Sequence, residues 1–83
     1  MKVHIKYFAS IRETLGHGSE SLDTAAPTLA ALRDALIARG GAYAESLARG
    51  KAVRVAFNQT LSDESTPLVE GAEVAFFPPV TGG

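Results

Sequence analysis

One well-marked helix lies between strand-like segments at both ends of this chain, and that order constrains the fold more than any other feature of the sequence. Thr28, after Pro27, is placed as N-cap. Leu29, Leu32, Leu36 and Ile37 form an apolar stripe at helical spacing, Arg39 falls in the last turn, and Gly40-Gly41 ends the helix. Ahead of it, Lys2 to Phe8 alternates, with Val3, Ile5 and Tyr7 on one face and Lys2, His4, Lys6 and Phe8 on the other. Ala9 to Leu15 predicts a short helix, with Ile11 and Leu15 at i,i+4 spacing and Gly16 closing it; Gly18 to Asp23 returns as a second strand. Beyond the main helix, Ala42 to Ala48 adds a further helical turn or two. Ala52 to Asn58 then alternates Val53, Val55 and Phe57 against Arg54, Ala56 and Asn58. Asn58-Gln59 turns into a short strand around Thr60-Leu61, Ser62 to Pro67 is loop, Glu70-Gly71 is a turn, and Glu73 to Phe77 is the final strand.

Two strands, a main helix and then more strands make an α+β order rather than repeated βαβ units. The first and last strands are the most apolar and are expected side by side in the sheet centre. This is the pattern of a β-grasp, or ubiquitin-like, domain: a mixed sheet of about five strands with one main helix packed on one face. The domain is expected over residues 1–77, with 78–83 as an extended, flexible C-terminal tail. At 83 residues the core is small. With 20% charged residues and a net charge of -1, the chain gives no electrostatic case for binding nucleic acid or an anionic membrane. No apolar run approaches the roughly 18–20 residues of a membrane span, and no signal-peptide pattern opens the chain. Cysteine is absent, which removes disulfides, thiolate nucleophiles and cysteine metal sites, and fits a reducing cytoplasm.

If Val74 and Phe76 point inward, Ala75 and Phe77 point outward on the same side as Phe8, and Leu61 has no place in the core. Phe8, Leu61 and Phe77 are therefore expected to form an apolar partner surface, each worth roughly 1.5–3 kcal/mol on burial. Side-chain chemistry is otherwise sparse. His4, between two lysines, and His17, in a glycine-flanked turn, read as surface histidines, and Asp63, Glu64, Glu70 and Glu73 as a solvated group without ligand spacing. Lys2, Lys6, Arg12, Arg49, Lys51 and Arg54 include candidate docking contacts. The expected reactive group is the end of the chain. Pro78 and Pro79 favour extended geometry, Val80 and Thr81 are stiff, and the six residues from Pro78 reach at most about 20 Å. Gly82 and Gly83 leave a thread narrow enough to enter a buried channel, carrying a carboxylate that is ionised at neutral pH and unreactive until activated. Adenylation would turn it into a mixed anhydride open to sulfide, thiolate or amine.

The run Phe76-Phe77-Pro78-Pro79-Val80-Thr81-Gly82-Gly83, the preceding Gly71-Ala72-Glu73-Val74-Ala75, Asn58-Gln59-Thr60-Leu61, and the opening Val3 to Ala9 with Ile11-Arg12-Glu13 resemble the small subunits of molybdopterin synthase, a family of ubiquitin-like sulfur carriers. What the resemblance implies is a cytoplasmic carrier, not an enzyme by itself, acting in a heterotetrameric synthase. An adenylyltransferase related to ubiquitin-activating enzymes would use ATP to adenylate Gly83, and a sulfurtransferase or desulfurase would supply the sulfur of a thiocarboxylate. The charged tail would enter the synthase large subunit and give sulfur to cyclic pyranopterin monophosphate, forming the molybdopterin dithiolene. The carrier itself would bind no cofactor or metal. Gly83 would bear the sulfur, beside Gly82, while Phe8, Leu61, Phe77, Pro78, Pro79, Val80 and Thr81 would contact the partner. Sulfur donation towards thiazole, conjugation of Gly83 to protein lysines, and an adaptor role through the apolar face alone are the alternative readings.

Overall fold

The computed structural model describes residues 1–79. Its elements are β1 (Lys2–Tyr7), α1 (Ala9–Leu15), β2 (Ser19–Asp23), α2 (Leu29–Ile37), α3 (Gly41–Leu47), β3 (Arg54–Phe57), β4 (Thr60–Leu61) and β5 (Glu73–Phe77). The strands form one sheet in the order β2-β1-β5-β3-β4. β1 and β5 run parallel at its centre and the other pairs are antiparallel. This is the expected β-grasp arrangement, with the two most apolar strands adjacent.

Period-two patterning decides which face is buried, because a one-residue slip would turn every side chain over. Val3, Ile5 and Tyr7 of β1, Val74 and Phe76 of β5 and Val55 of β3 all face the helices and are almost fully buried. The register sets Ile5 beside Val74 and Phe57, and Tyr7 beside Phe76 and Val55. Onto these rows α2 lays Leu29, Leu32 and Leu36, α1 adds Ile11 and α3 adds Leu47. Thr28 caps α2 as expected, its Oγ1 accepting from Ala31 N at 3.2 Å.

Two expectations are corrected at the other end of α2. The helix stops at Ile37, so Arg39 lies past its last turn. The amides of Arg39 and Gly40 close onto the carbonyls of Leu36 and Ile37 in tighter i→i-3 bonds, which end the α-helical ladder early. Gly40-Gly41 is then a joint rather than a terminus: with φ of 75° and 54°, it swings the chain directly into α3. The short helix α1 and the main helix α2 stand where expected, and the further turn or two is a third helix, α3. At the far side of the sheet, Asn58 and Gln59 both take positive φ, as a two-residue hairpin turn requires, and lead β3 back into β4.

The helix side also holds a polar cluster that connects segments far apart in sequence. Glu20 accepts hydrogen bonds from Tyr7 Oη at 2.8 Å, Tyr43 Oη at 2.6 Å and Arg39 Nη1 at 2.9 Å, with His17 Nε2 at 3.2 Å. Burial pushes the Glu20 carboxyl up, but the bonds from Tyr43, Arg39, Tyr7 and His17 outweigh it and bring it down to about 2. Burial, reinforced by the bond to Glu20, keeps the Tyr7 phenol well above its usual range. A carboxyl lowered in the fold from an ordinary 4.5 stabilises fully above that value and loses its contribution as pH falls from about 5 toward 2. Glu20→Gln should therefore lower the neutral-pH melting temperature by about 5–10 °C and flatten its decline over that range. Melts followed by circular dichroism from pH 7 to pH 2 test this. An acid decline as steep as the parent's would remove Glu20 from that role.

Candidate functional site

The candidate site is the sheet face opposite the helices, continued into the tail. Alternation sends Lys2, His4 and Lys6 of β1, Glu73, Ala75 and Phe77 of β5, and Arg54 and Ala56 of β3 to this side. Lys6, Ala75, Ala56 and Leu61 align across four strands in one register row. The two alanines give that row a low centre, bounded at one end by the Lys6 Nζ–Glu73 Oε1 pair at 3.4 Å and at the other by Leu61. The next position along β5 sets Phe77 opposite Arg54. Phe8, joined to β5 by its amide on Phe76 O at 3.1 Å, stands on the other side of that strand.

Phe8 is 46% exposed and Leu61 is 62% exposed, large values for apolar side chains in so small a domain. Phe77, on the central strand, is half-buried between its neighbours. Beside Leu61 and Arg54, at the edge of the sheet, an open crevice of about 360 Å³ reaches Val55, Asp63 and Glu64. Pro78 and Pro79 are half-buried, and Pro78 borders a smaller crevice of about 110 Å³ with Ile11 of α1 and Lys51. The expected tail contacts Val80 and Thr81, and the expected carrier residues Gly82 and Gly83, lie outside the described residues. Alternation thus turns Leu61 and Phe77 to the outer sheet face, Leu61 on the edge strand and Phe77 next to Pro78, with Phe8 exposed just past the end of β1.

The remaining candidates belong to the scaffold. His4 is exposed, with its Nδ1 2.7 Å from Ser21 Oγ, and His17 is exposed in the Glu20 cluster. Glu70 accepts from the Lys2 amide and Glu73 pairs with Lys6, so the acidic residues of the last hairpin are dispersed. Among the described residues no group of three or more His, Asp or Glu side chains is placed to hold a metal ion. Arg49, considered as a docking residue, instead bonds Asp34, Glu64 and the Ala30 carbonyl. Arg33, which the helical pattern left unremarked, is 4% exposed and spans α3 and Glu64. No described helix is long and apolar enough to cross a membrane.

Comparison with known proteins gives this geometry a lineage. Residues 5–83 match the model of the ThiS family. The molybdopterin synthase sulfur carrier subunit of Escherichia coli (strain K12) is 42% identical over 81 residues, a span that covers 98% of this chain and 99% of that protein. Among solved structures, the complex of subunits 1 and 2 of molybdopterin-converting factor from Helicobacter pylori 26695 contains a chain that matches with a TM-score of 0.71 and 27% identity, each chain covered fully. SAMP1 of Haloferax volcanii matches over the full length of both chains with a TM-score of 0.77 and 25% identity. The chain belongs to the ThiS family, in the company of the sulfur carrier subunits of molybdopterin synthase.

Proposed function

We infer that this chain is the sulfur carrier subunit of a cytoplasmic molybdopterin synthase, binding a large subunit through the face of Phe8, Leu61 and Phe77 and delivering sulfur on Gly83. The observation that carries the reading is the end-to-end match to a molybdopterin synthase sulfur carrier subunit, 42% identical across 98% of this chain. The exposed Phe8 and Leu61 support it.

The chemistry starts from an ionised glycyl carboxylate. A carboxylate oxygen attacks the α-phosphorus of ATP on a separate adenylyltransferase, and pyrophosphate leaves. A sulfide equivalent then adds to the acyl carbon and AMP departs with the bonding pair, leaving a thiocarboxylate. In the large subunit that sulfur displaces an oxygen substituent from a side-chain carbon of cyclic pyranopterin monophosphate, the oxygen departing with the C–O bonding pair; water then cleaves the acyl–sulfur bond, which leaves the sulfur on the pterin and regenerates the carboxylate. Residues without side chains keep the carbonyl open to each successive enzyme. This chain supplies the reacting group and its partners supply the catalysis.

Intact-mass analysis of the chain after incubation with the adenylyltransferase, ATP and a sulfur source tests the reading. The expected result is one oxygen-to-sulfur exchange in the last peptide, and an unchanged mass would overturn it. The likeness to SAMP1, a small archaeal modifier protein, favours a second reading as a protein modifier. That reading predicts lysine-linked conjugates and no thiocarboxylate.

The apolar face gives its own expectation. Phe77→Asp places a charge in a desolvated contact and should weaken binding to the large subunit by about tenfold to a hundredfold. Titration calorimetry on the folded variant measures this, and an unchanged affinity removes Phe77 from the interface.

A further inference from the structure

The chain leaves the outer sheet face for the helix layer through one residue, and that residue is strained. Ala9 has a φ of 52°, the left-handed region that L side chains other than Asn and Asp seldom adopt. The residues on either side are tightly held. Before it, Tyr7 is 1% exposed, its ring stacked on Phe76 at 6.3 Å and its hydroxyl bonded to Glu20 at 2.8 Å. Phe8 is extended, with φ of -125° and ψ of 156°. Its amide is committed to β5 through Phe76 O at 3.1 Å, while its carbonyl accepts from the amides of Ile11 at 3.2 Å and Arg12 at 3.4 Å. Phe8 thus ends a strand and caps a helix at once, and Ile11 must already be turned into the core, where it is 3% exposed. A left-handed step at Ala9 joins these two commitments within a single residue.

Ala9 is itself exposed, so its methyl does not account for the strain by packing. The Phe8 ring is 46% exposed, so the domain covers it only in part, and the backbone that carries it sets where it starts. Glycine would take this φ without strain but would take many other conformations as well. Alanine narrows the joint at a cost in stability, and strain of this kind concentrates where a binding geometry has to be held. Resting on the reading of this face as the large-subunit surface, we propose that Ala9 is a positioning residue for partner binding: its left-handed backbone fixes the Phe8 ring in the orientation that the large subunit meets.

The test is a double-mutant cycle on the full chain with the cognate large subunit, using Ala9→Gly, Phe8→Ala and the two together, with affinity and melting temperature read for each. Ala9→Gly should hold or raise the melting temperature yet weaken binding by about three- to tenfold, the scale of ordering one freed aromatic side chain. In the Phe8→Ala background the same change should cost nothing, because no ring is left to orient. Ala9→Asn, which accepts positive φ more readily than most residues, should bind like the parent. An Ala9→Gly loss of equal size in both backgrounds, or no loss in either, overturns the proposal, and affinity measured on folded protein keeps any stability change out of the comparison. If Phe8→Ala weakens binding and Ala9→Gly does not, only the role of Ala9 falls. If Phe8→Ala binds as the parent does, the reading of the face falls and this role falls with it.

Discussion

Deleting Gly83 should abolish sulfur transfer while the domain melts at the parent's temperature and still binds the large subunit. Among the described residues the core runs from Val3 to Phe76, so the deletion leaves every one of those side chains in place. The proposed interface is likewise carried by Phe8, Leu61 and Phe77, where apolar burial supplies the binding free energy. What the deletion changes is reach and access: the carboxylate moves back by roughly 3.3–3.6 Å, more than reacting atoms tolerate when contact must be within about 3–3.5 Å. Adding one residue after Gly83 should be as damaging, since it displaces the reacting carbonyl the other way. Single-turnover product formation from pre-charged carrier, measured beside a thermal melt and a binding titration, separates the outcomes. Full activity from either variant would sink the carrier reading and favour an adaptor working through the apolar face. A large drop in melting temperature would instead show that the terminus belongs to the fold.

The parts of this molecule legible in its sequence are those governed by local periodicity. β1 and β5 each bury one face, so Val3, Ile5 and Tyr7 and then Val74 and Phe76 announce themselves at period two, and Phe8 and Leu61 stand out as apolar residues with no inward position. The Thr28 cap needs only its own first turn. Gly40-Gly41 was half legible: a glycine pair signals a break, but whether the chain stops or turns into another helix depends on the surface waiting for Leu47. The polar networks were not legible, because their partners are brought together only by the finished fold. Tyr7 reads as a core aromatic until Glu20, Tyr43 and Arg39 converge on one carboxylate from separate segments. The positive φ of Ala9 had no signal either, since alanine is the residue least expected to announce a left-handed turn.

Arg33 is the largest of these omissions and carries the second large expected effect. Position 33 lies next to the apolar stripe of α2, where an arginine reads as a solvated flank, yet it is 4% exposed. Its Nε donates to the Leu47 carbonyl at 2.8 Å, and its Nη2 donates to the Ala48 carbonyl at 2.8 Å and the Lys51 carbonyl at 3.4 Å. Its Nη1 meets Glu64 Oε2 at 2.9 Å. The last carbonyls of α3 have no partner within their own helix, and the α2 guanidinium satisfies them while placing a cation at the negative end of the helix dipole. Removing it leaves the Leu47 carbonyl without that donor, takes one of two cations from the part-exposed Glu64, whose other partner is Arg49, and empties the space of a buried side chain, a loss of about 3–5 kcal/mol. A domain of this length has a total stability of roughly 4–12 kcal/mol, so Arg33→Ala should lower the melting temperature by about 15 °C or more. Arg33→Lys should recover less than half of that, because an ammonium cannot serve three directions from one plane. Glu64→Ala, which leaves every carbonyl bond of Arg33 in place, should cost only about 1 kcal/mol. Chemical denaturation of the three variants ranks them. Arg33→Met as stable as the parent would show that the aliphatic stem alone carries the position. The expected order of loss, Ala above Lys and Lys above the Glu64 variant, follows from the guanidinium acting as the C-terminal cap that α3 lacks in its own sequence.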